Sequence, residues 1–289
     1  MEIVRYISEG AVEVGVRRDG VVHRLPGATV GGLLRQGLSG FRAALAQAAP
    51  DPVAPERLLP PVDGRMEVWA AGVTYRRSRE ARMEESERSA TIYEQVYDAP
   101  RPELFFKSAA WRVCGDGEPV TVRDDSAVDV PEPELALVLT PAGEIAGYTV
   151  CNDLSSRSIE GENPLYLPQA KVYLGGCAVG PAIRPSWEIE DPYDLAITAS
   201  IVRDGVAVWS GEASTGQLHR RFEDLVEHLF RADAFPDGAI LSTGTCLVPD
   251  LPFTLRHGDE MTIGIDGIGV LRNVVSRPEE MDYLTARVG

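Results

Sequence analysis

A short hairpin is the feature that most constrains how this chain folds. Residues 135–140 (LALVLT) and 145–153 (IAGYTVCND) are two apolar runs separated by residues 141–144 (PAGE). Apolar runs of this length bounded by turn residues are typical of buried β-strands. Thr140 is expected to pair with Ile145 across the turn, which fixes the antiparallel register of everything that follows.

That register brings three carboxylates together. Glu132 and Glu134 are two residues apart, so on a strand both side chains project from the same face. The register also places Asp153 opposite Glu132, with the two Cβ atoms roughly 4.5–5.5 Å apart. Pro131 and Pro133 cannot donate ladder hydrogen bonds, which indicates an edge or a bulge at this end of the strand.

The three carboxylates predict a metal site. Carboxylates that share one space repel each other, so either one of them is protonated or a cation neutralises them. An oxygen-only donor set suits Mg²⁺, Mn²⁺ or Ca²⁺ rather than zinc, and no histidine occurs between Val62 and Pro185. We therefore expect Glu132, Glu134 and Asp153 to bind a divalent cation. The alternative interpretation is a solvated acidic edge strand.

Lysine is rare in this chain. Only Lys107 and Lys171 occur among 28 basic residues, so arginine supplies nearly all of the positive charge. Lysine can give up its proton where arginine cannot, and an amine next to a bound cation loses its proton more readily. Lys171 is therefore a candidate general base. The competing interpretation is that Lys171 only forms a salt bridge with one of the carboxylates.

Composition excludes several classes of partner. A net charge of −16 argues against nucleic acid, which needs a basic surface, and against anionic membranes. No apolar run approaches the roughly 18 residues of a membrane span, and the N-terminus does not resemble a signal peptide. Four scattered cysteines without a CxxC pair indicate a reducing compartment, so we expect a cytoplasmic protein.

The chain divides into two parts at a proline-rich stretch. Residues 2–24 read as strands in hairpins with an Asp19-Gly20 turn, and residues 33–48 have a helical pattern. Residues 49–64 have no periodicity and are interpreted as a linker. The remainder is mostly strands, with an amphipathic helix over residues 217–230 and an irregular stretch around Lys171. We predict an α+β, mostly β protein with a small N-terminal α/β domain (1–62) and a catalytic domain (63–289).

Many short segments together resemble the fumarylacetoacetate hydrolase family, over about residues 68–275. The matching segments are GVTY (72–75), PELFFK (102–107), EPELALVL (132–139), GYTVCNDLSSRSIEG (147–161), the lysine at 171, GPAI (180–183), STGT (242–245) and GIGVLRNVV (267–275).

The resemblance implies a fold, a cofactor and a substrate class. Members have a mixed β-roll catalytic domain, and their substrates are small 2-oxo acids. They bind Mg²⁺ or Mn²⁺ through two glutamates and an aspartate, which match Glu132, Glu134 and Asp153, and their active-site lysine matches Lys171. Members commonly form dimers or tetramers, so a homo-oligomer is expected.

One departure narrows the expected activity. Hydrolytic members usually carry NYxxHxxE, whose histidine and glutamate activate a water molecule, but Ser78 and Ala81 stand at those positions here. The run SIEGENPLYLPQAK (158–171) is similar to the pentose-oxidation branch of the family, whose members dehydrate 2-keto-3-deoxy sugar acids. That branch needs no water-activating pair, so we expect a metal-dependent dehydratase, which is a lyase.

The remaining site residues are assigned roles by a mechanistic hypothesis, in which Glu160 is chosen because it follows NDLSSR on the way to Lys171. Glu160 is the first candidate for the acid that protonates the leaving hydroxyl, and Glu103 is a weaker one; Glu160 could equally be a surface carboxylate. The residues expected to contact substrate are Tyr75, Ser78, Lys107 and Thr245. Arg157 either lines the site or supports Asp153 from behind.

Two other functions stay open at this point. The first is another activity of the family on a 2-oxo acid, such as acylpyruvate hydrolysis or oxaloacetate decarboxylation. The second is a metal-binding scaffold without catalysis, which only the loss of the histidine–glutamate pair supports.

Overall fold

The fold is built mainly from strands. The computed structural model describes residues 1–75 and 95–285. The strands are β1 (Glu2–Ser8), β2 (Ala11–Arg18), β3 (Val21–Arg24), β4 (Pro52–Val53), β5 (Arg57–Leu59), β6 (Glu67–Gly72), β7 (Glu103–Ala109), β8 (Val120–Thr121), β9 (Asp129–Val130), β10 (Pro133–Leu139), β11 (Ile145–Asp153), β12 (Ser155–Ser156), β13 (Cys177–Pro185), β14 (Ala196–Arg203), β15 (Val206–Ser214), β16 (Ala239–Ser242), β17 (Glu260–Ile265) and β18 (Gly269–Ser276).

The helices are short. They include α1 (Val30–Leu34), α2 (Gly37–Leu45), α3 (Arg157–Glu162), α4 (Leu167–Lys171), α5 (Phe222–Phe230) and α6 (Asp282–Thr285). Single 3₁₀ turns occur at Ala110–Arg112, Pro164–Tyr166, Ser186–Glu188, Thr215–Gln217 and Pro278–Met281. Within the two described ranges, none of the helices has the length and apolar character needed to cross a membrane.

The largest sheet has eleven strands and places β10 and β11 near its middle. Its order is β4-β3-β2-β1-β13-β11-β10-β16-β6-β7, with β5 also paired to β1. The β16–β6 pair is parallel, and the other pairs of this sheet are antiparallel. A second sheet has the order β15-β14-β17-β18-β8, and β12 pairs with β9 alone.

Both faces of β10 and β11 are covered. One face, with Leu135 and Leu137, shares a buried cluster with Ile263 of the second sheet and with Phe222 of α5. The other face shares a cluster with side chains from α1 and α2, such as Phe41. Because neither face meets water, the two strands are apolar almost throughout rather than alternating with polar residues.

The predicted register of the central hairpin is confirmed. Pro133 pairs with Asn152 and Val138 with Gly147, and the Asp153 N–H donates to the Glu132 carbonyl oxygen at 3.0 Å. A bulge after Val138 pairs Leu139 with Ile145, where a Thr140–Ile145 pair was expected. The bulge lies at the turn, so it leaves the facing positions of the acidic residues unchanged.

Pro133 lies at the end of β10 where sequence analysis predicted an interruption of the strand pairing. The ladder between β10 and β16 covers only residues 136–139 of β10. The start of β10, at Pro133, is therefore paired with β11 alone, although β10 itself is an interior strand. This arrangement accommodates a residue that has no N–H to donate.

Several local predictions were wrong. Residues 49–64 are not an unstructured linker, since β4 pairs with β3 and β5 with β1. The helix expected over 33–48 is two helices, α1 and α2, and the helix expected over 217–230 starts only at Phe222. Lys171 ends helix α4 rather than lying on an irregular stretch. Each error arises where long-range strand pairing or a short helix overrides weak local patterning.

The mixed, mostly β architecture confirms the predicted fold class. The Asp19-Gly20 turn between β2 and β3 is also confirmed, with φ of +49° and +80°. All four cysteines are buried and free, as expected. The boundary between residues 62 and 63 stays a prediction.

Candidate active site

The three predicted acidic residues form one buried cluster. Glu132 directly precedes β10, Glu134 lies on β10, and Asp153 ends β11. Each offers an oxygen within 4.8 Å of the other two, and each residue is at most 2% exposed. The cluster exists because the hairpin register sets Glu132 opposite Asp153 and strand alternation puts Glu134 on the same side.

Lys171 contacts two of these carboxylates. Its Nζ lies 2.5 Å from Glu132 Oε2 and 3.0 Å from Asp153 Oδ2. It also lies 2.5 Å from the Ser155 hydroxyl oxygen, and Ser155 in turn donates to the Asp153 carbonyl oxygen at 2.8 Å. The amine is therefore held between the ends of β11 and α4, within reach of whatever the carboxylates bind.

Two more cations balance the acidic charge. Arg157 donates to Glu132 Oε1 at 2.6 Å. It therefore contacts a different carboxylate from Asp153, which one of the two alternatives for Arg157 had named. Lys107 Nζ lies 2.5 Å from Asp153 Oδ1. Three carboxylates and three basic groups share this space, which gives the cluster a formal charge near zero when all six are ionised.

Glu134 has no ion pair within the described ranges. Its Oε2 accepts a hydrogen bond from the backbone N–H of Gly244 at 2.8 Å. Gly244 has a φ of +94°, and a Cβ atom there would lie 2.0 Å from the Thr74 hydroxyl oxygen. Only glycine therefore allows the N–H to approach Glu134 in this way.

The environment of Glu134 fits a bound cation. Burial raises the pKa of its carboxyl well above the usual value, and the carboxylates of Asp153 and Glu132 raise it further. Such a group either holds a proton or needs a positive neighbour. A divalent cation with a preference for oxygen ligands supplies that neighbour, and the donor set matches Mg²⁺ or Mn²⁺.

The other predicted site residues are placed as follows. Glu160 is buried on α3, the helix that begins at Arg157. Glu103 starts β7, and its carboxylate covers Gly72 on the neighbouring strand β6. Thr245 is buried, and its hydroxyl donates to the Leu247 carbonyl oxygen at 3.2 Å. Ser78 lies outside the described residues.

Tyr75 is fully buried next to the acidic cluster. Burial raises the pKa of its phenol, and the neighbouring Cys246 and Glu134 raise it further. Its backbone forms a bridge with Leu218. The catalytic and substrate-contacting roles of all these residues stay predictions.

Sequence reasoning missed two parts of this site. The Ser155 hydroxyl oxygen lies 2.5 Å from Lys171 Nζ, and the Phe105 ring lies 5.3 Å from the same atom. Ser155 could have been found, because it is two residues beyond Asp153 and strand alternation places both on one face. Gly244 lies in segment 242–245, one of the segments that match the family, but its contact with Glu134 could not be predicted because it depends on a distant strand.

Comparison with known protein families identifies the family of this chain. Residues 67–276 match the family described as Fumarylacetoacetate (FAA) hydrolase C-terminal. The chain belongs to the fumarylacetoacetate hydrolase family. This confirms the resemblance expected from the motifs, and the matched residues include the three acidic residues and Lys171.

Two relatives carry the names of dehydratases. A protein of Haloferax volcanii named "Probable 2-keto-3-deoxyxylonate dehydratase" is 50% identical over 216 residues, which cover 75% of this chain and 74% of that protein. A protein of Saccharolobus solfataricus named "2-dehydro-3-deoxy-D-arabinonate dehydratase" is 46% identical over 224 residues, with 76% and 75% covered.

Solved structures agree with these relatives. A structure described as "2-keto-3-deoxy-D-arabinonate dehydratase complexed with magnesium and 2,5-dioxopentanoate" superposes with a TM-score of 0.83 at 37% identity, covering 96% of this chain and 99% of that one. A fumarylacetoacetate hydrolase from Exiguobacterium antarcticum gives a TM-score of 0.73 at 23% identity, with the same coverage. The second likeness concerns the fold alone, and the two together confirm the fold expected for the family.

Proposed function

We propose that this protein is a Mg²⁺-dependent dehydratase that converts 2-keto-3-deoxy-D-arabinonate into 2,5-dioxopentanoate and water. The observation that carries the proposal is the Lys171 amine, which lies 2.5 Å and 3.0 Å from two carboxylates of a buried acidic triad. The names of two relatives at 46–50% identity support the substrate class. The magnesium in the structure of a similar dehydratase supports the cofactor.

Glu132, Glu134 and Asp153 would hold the metal ion. When bound, Mg²⁺ would polarise the 2-oxo group of the substrate and so make its C3 protons more acidic. Mn²⁺ suits the same oxygen ligands. Arg157 and Ser155 would keep the carboxylates and the amine in place by the contacts described above.

Lys171 would remove the C3 proton as a neutral amine. With all six groups of the cluster ionised, their formal charges cancel in the absence of ligands. A divalent cation and a carboxylate substrate together add one net positive charge. Loss of the Lys171 proton would cancel that charge.

The elimination also needs an acid. The electron pair left at C3 forms the C3–C4 double bond as the C4 hydroxyl departs, and Glu160 would protonate that hydroxyl to give water. Glu103 is the second candidate for this role. Transfer of a proton from C5 to C3 then gives the C4–C5 enol. Loss of the enol hydroxyl proton and protonation of C4 convert this enol into the C5 aldehyde, so water is the only group lost.

The proposal extends to the pathway, the cellular compartment and the assembly of the protein. The reaction would serve the oxidation of pentoses, in the cytoplasm, in a dimer or tetramer of identical chains. Four free, buried cysteines support a reducing compartment, and the family resemblance supports the assembly.

Product analysis tests the proposal. The purified protein, Mg²⁺ and 2-keto-3-deoxy-D-arabinonate are incubated in D₂O and followed by NMR. We expect 2,5-dioxopentanoate, with deuterium incorporated at C3 in a reaction that depends on Lys171. Pyruvate and glycolaldehyde would instead indicate aldol cleavage. Rapid hydrolysis of acylpyruvates without dehydration would indicate a hydrolase, and turnover of no 2-oxo acid would indicate a binding scaffold.

A further inference from the structure

Three oxygen atoms of the protein surround the ammonium group of Lys107. Its side chain is 0% exposed. The Nζ lies 2.5 Å from Asp153 Oδ1, 2.8 Å from the Leu154 carbonyl oxygen and 2.6 Å from the Lys171 carbonyl oxygen. The two carbonyl oxygens accept hydrogen bonds from the ammonium. Asp153 Oδ1 forms an ion pair with it, without the alignment of a hydrogen bond.

The three oxygen atoms belong to the two segments that carry the reactive groups. Asp153 and Leu154 mark the end of β11, where a metal ligand lies. Lys171 is the last residue of α4, and its carbonyl is one of those that a helix end leaves without an intrahelical partner. Lys107 itself lies on β7. One buried ammonium therefore joins the metal-ligand strand to the backbone of the candidate base.

We propose that Lys107 is a positioning residue of the reaction. Its ammonium fixes the Asp153 carboxylate and the Lys171 backbone relative to each other, and so sets where the Lys171 amine lies beside the metal site. The inference rests on the proposed function. It assigns Lys107 a different task from the contact with substrate oxygens that the sequence suggested.

The shape of the group explains why a lysine occurs here. Of the 28 lysine and arginine residues in the chain, all except Lys107 and Lys171 are arginine. A guanidinium is planar and presents five donors in a rigid fork, whereas an ammonium is compact and directs three donors outward from a single atom. Three oxygen atoms around one nitrogen match the ammonium. The geometry of an ammonium therefore suits position 107 better than that of a guanidinium.

Removal of Lys107 should affect metal binding and the reaction rate in opposite directions. The site already holds three basic groups beside a cation site, so removing one of them should strengthen the binding of a dication. If Lys107 positions Lys171, the same change should lower the rate of proton removal, because a displacement of about 1 Å can cost about 100-fold. Loss of Lys107 is therefore expected to lower turnover without weakening the binding of the metal.

The experiment compares Lys107→Met with Lys107→Gln, which keeps two amide N–H donors without the charge. Calorimetry with Mn²⁺ alone, on protein freed of metal by chelation, measures the metal dissociation constant. NMR in D₂O measures two rates at saturating Mn²⁺. The first is dehydration of 2-keto-3-deoxy-D-arabinonate. The second is exchange of the C3 protons of 2-oxopentanoate, which needs the positioned amine but has no leaving hydroxyl.

We expect Lys107→Met to lower both rates by at least about 30-fold while the Mn²⁺ dissociation constant stays the same or falls. Lys107→Gln is expected to recover part of the loss. The matched control is Arg203→Met, which removes a cation from a pair with Asp259 (2.7 Å) in the second sheet. This control should lower thermal stability and leave both rates unchanged.

Three outcomes would overturn the inference. One is a Lys107→Met or Lys107→Gln protein whose two rates stay within twofold of those of the natural protein. Another is a rise in the Mn²⁺ dissociation constant that accounts for the whole loss of rate, since Lys107 would then act through metal affinity. The third is an equal loss in the Arg203→Met control. If Lys107→Met does not fold, Lys107→Gln decides by the same measurements.

Failure of the proposed function can be distinguished from failure of the inference about Lys107. A natural protein that exchanges the C3 protons of 2-oxopentanoate but does not dehydrate the sugar acid would contradict the dehydratase assignment. The effect of Lys107 on the exchange rate would still be measurable in that protein.

Discussion

Two clusters of acidic and basic side chains in this molecule differ in their exposure to water. In the active-site cluster, the side chains of Glu132, Asp153, Lys107, Lys171 and Arg157 are at most 2% exposed. In the Asp237 cluster, Asp237 is 7% exposed and binds Arg35 at 2.6 Å and Arg65 at 3.0 Å. Those two arginine side chains are 51% and 69% exposed.

The difference in exposure indicates that the active-site cluster serves catalysis, whereas the Asp237 cluster holds parts of the fold together. Taking ionised groups out of water costs several kcal/mol for each ion, and mutual attraction often fails to recover that cost. A cluster as buried as the active site is therefore poorly explained by stability. The Asp237 cluster leaves its arginine head groups hydrated, and it links α1 and the start of β6 to the turn before β16. Substitutions should accordingly affect activity in one cluster and stability in the other.

The largest effect is expected for Lys171→Arg. Arginine keeps the positive charge but cannot act as a base, so kcat for dehydration should fall by at least about 100-fold. KM should change much less, because the contacts that bind the 2-oxo acid are retained. Steady-state kinetics at saturating Mg²⁺ measure both. A near-normal kcat would show that Lys171 acts only through its charge.

Removal of a metal ligand should have the next largest effect. Glu134→Gln keeps the size of the side chain but removes the charge, and the Mn²⁺ dissociation constant should rise by at least about 10-fold. Calorimetry measures it. Glu118→Gln is the matched control, since Glu118 is also buried and is paired with Arg57 at 3.1 Å, away from this site. An unchanged dissociation constant in Glu134→Gln would remove this residue from the ligand set.

Chelation tests the same cluster without a substitution. Complete removal of divalent cations should abolish dehydration, and Mg²⁺ or Mn²⁺ should restore it, because the carboxylates by themselves cannot polarise the 2-oxo group. Metal analysis of the treated protein is the necessary companion measurement. Full activity in a preparation verified as metal-free would contradict the proposed mechanism.

The smallest effect on turnover is expected in the second cluster. Asp237→Asn should leave kcat within twofold and lower the free energy of unfolding by about 1 kcal/mol, the range for partly exposed ion pairs. Denaturant unfolding measures the change. A large loss of kcat with unchanged stability would erase the distinction between the two clusters.

The Asp237 cluster should also make stability depend on pH. Hydrogen bonds from the Arg65 side chain, and then from the Arg65 backbone, hold the pKa of the Asp237 carboxyl well below its usual range. A group whose pKa is lower in the folded state stabilises the fold above its unfolded pKa, which is about 4 for aspartate. That contribution is lost as the pH falls below 4. Asp237→Asn should therefore lose less stability on acidification than the natural protein does.

Local sequence patterns were enough to predict the acidic triad. Glu132 and Glu134 face the same way because strands alternate with a period of two, and the turn at 141–144 fixes their position relative to Asp153. Both rules operate over about twenty residues. The bulge at Leu139 did not disturb the prediction, because it lies next to the turn.

Contacts between distant segments could not be predicted. Lys107 reaches the Lys171 carbonyl across 64 positions, and the Gly244 N–H reaches Glu134 across 110 positions. Neither follows from propensity or periodicity, since each depends on the order of strands in the eleven-stranded sheet. The strands hidden in the proline-rich stretch 49–64 were missed for the same reason. Their partners, β1 and β3, lie more than 25 residues earlier.

The place of β1 in the large sheet has a consequence for synthesis on the ribosome. Ile3 pairs with Ile183 of β13, and it shares a buried cluster with Ile240. At typical rates of translation, the interval between the synthesis of Ile3 and that of Ile183 is roughly ten to forty seconds. The apolar side chains of β1 and α2 thus leave the ribosome long before the surface that finally covers them exists. During that interval they are open to chaperones and to other nascent chains.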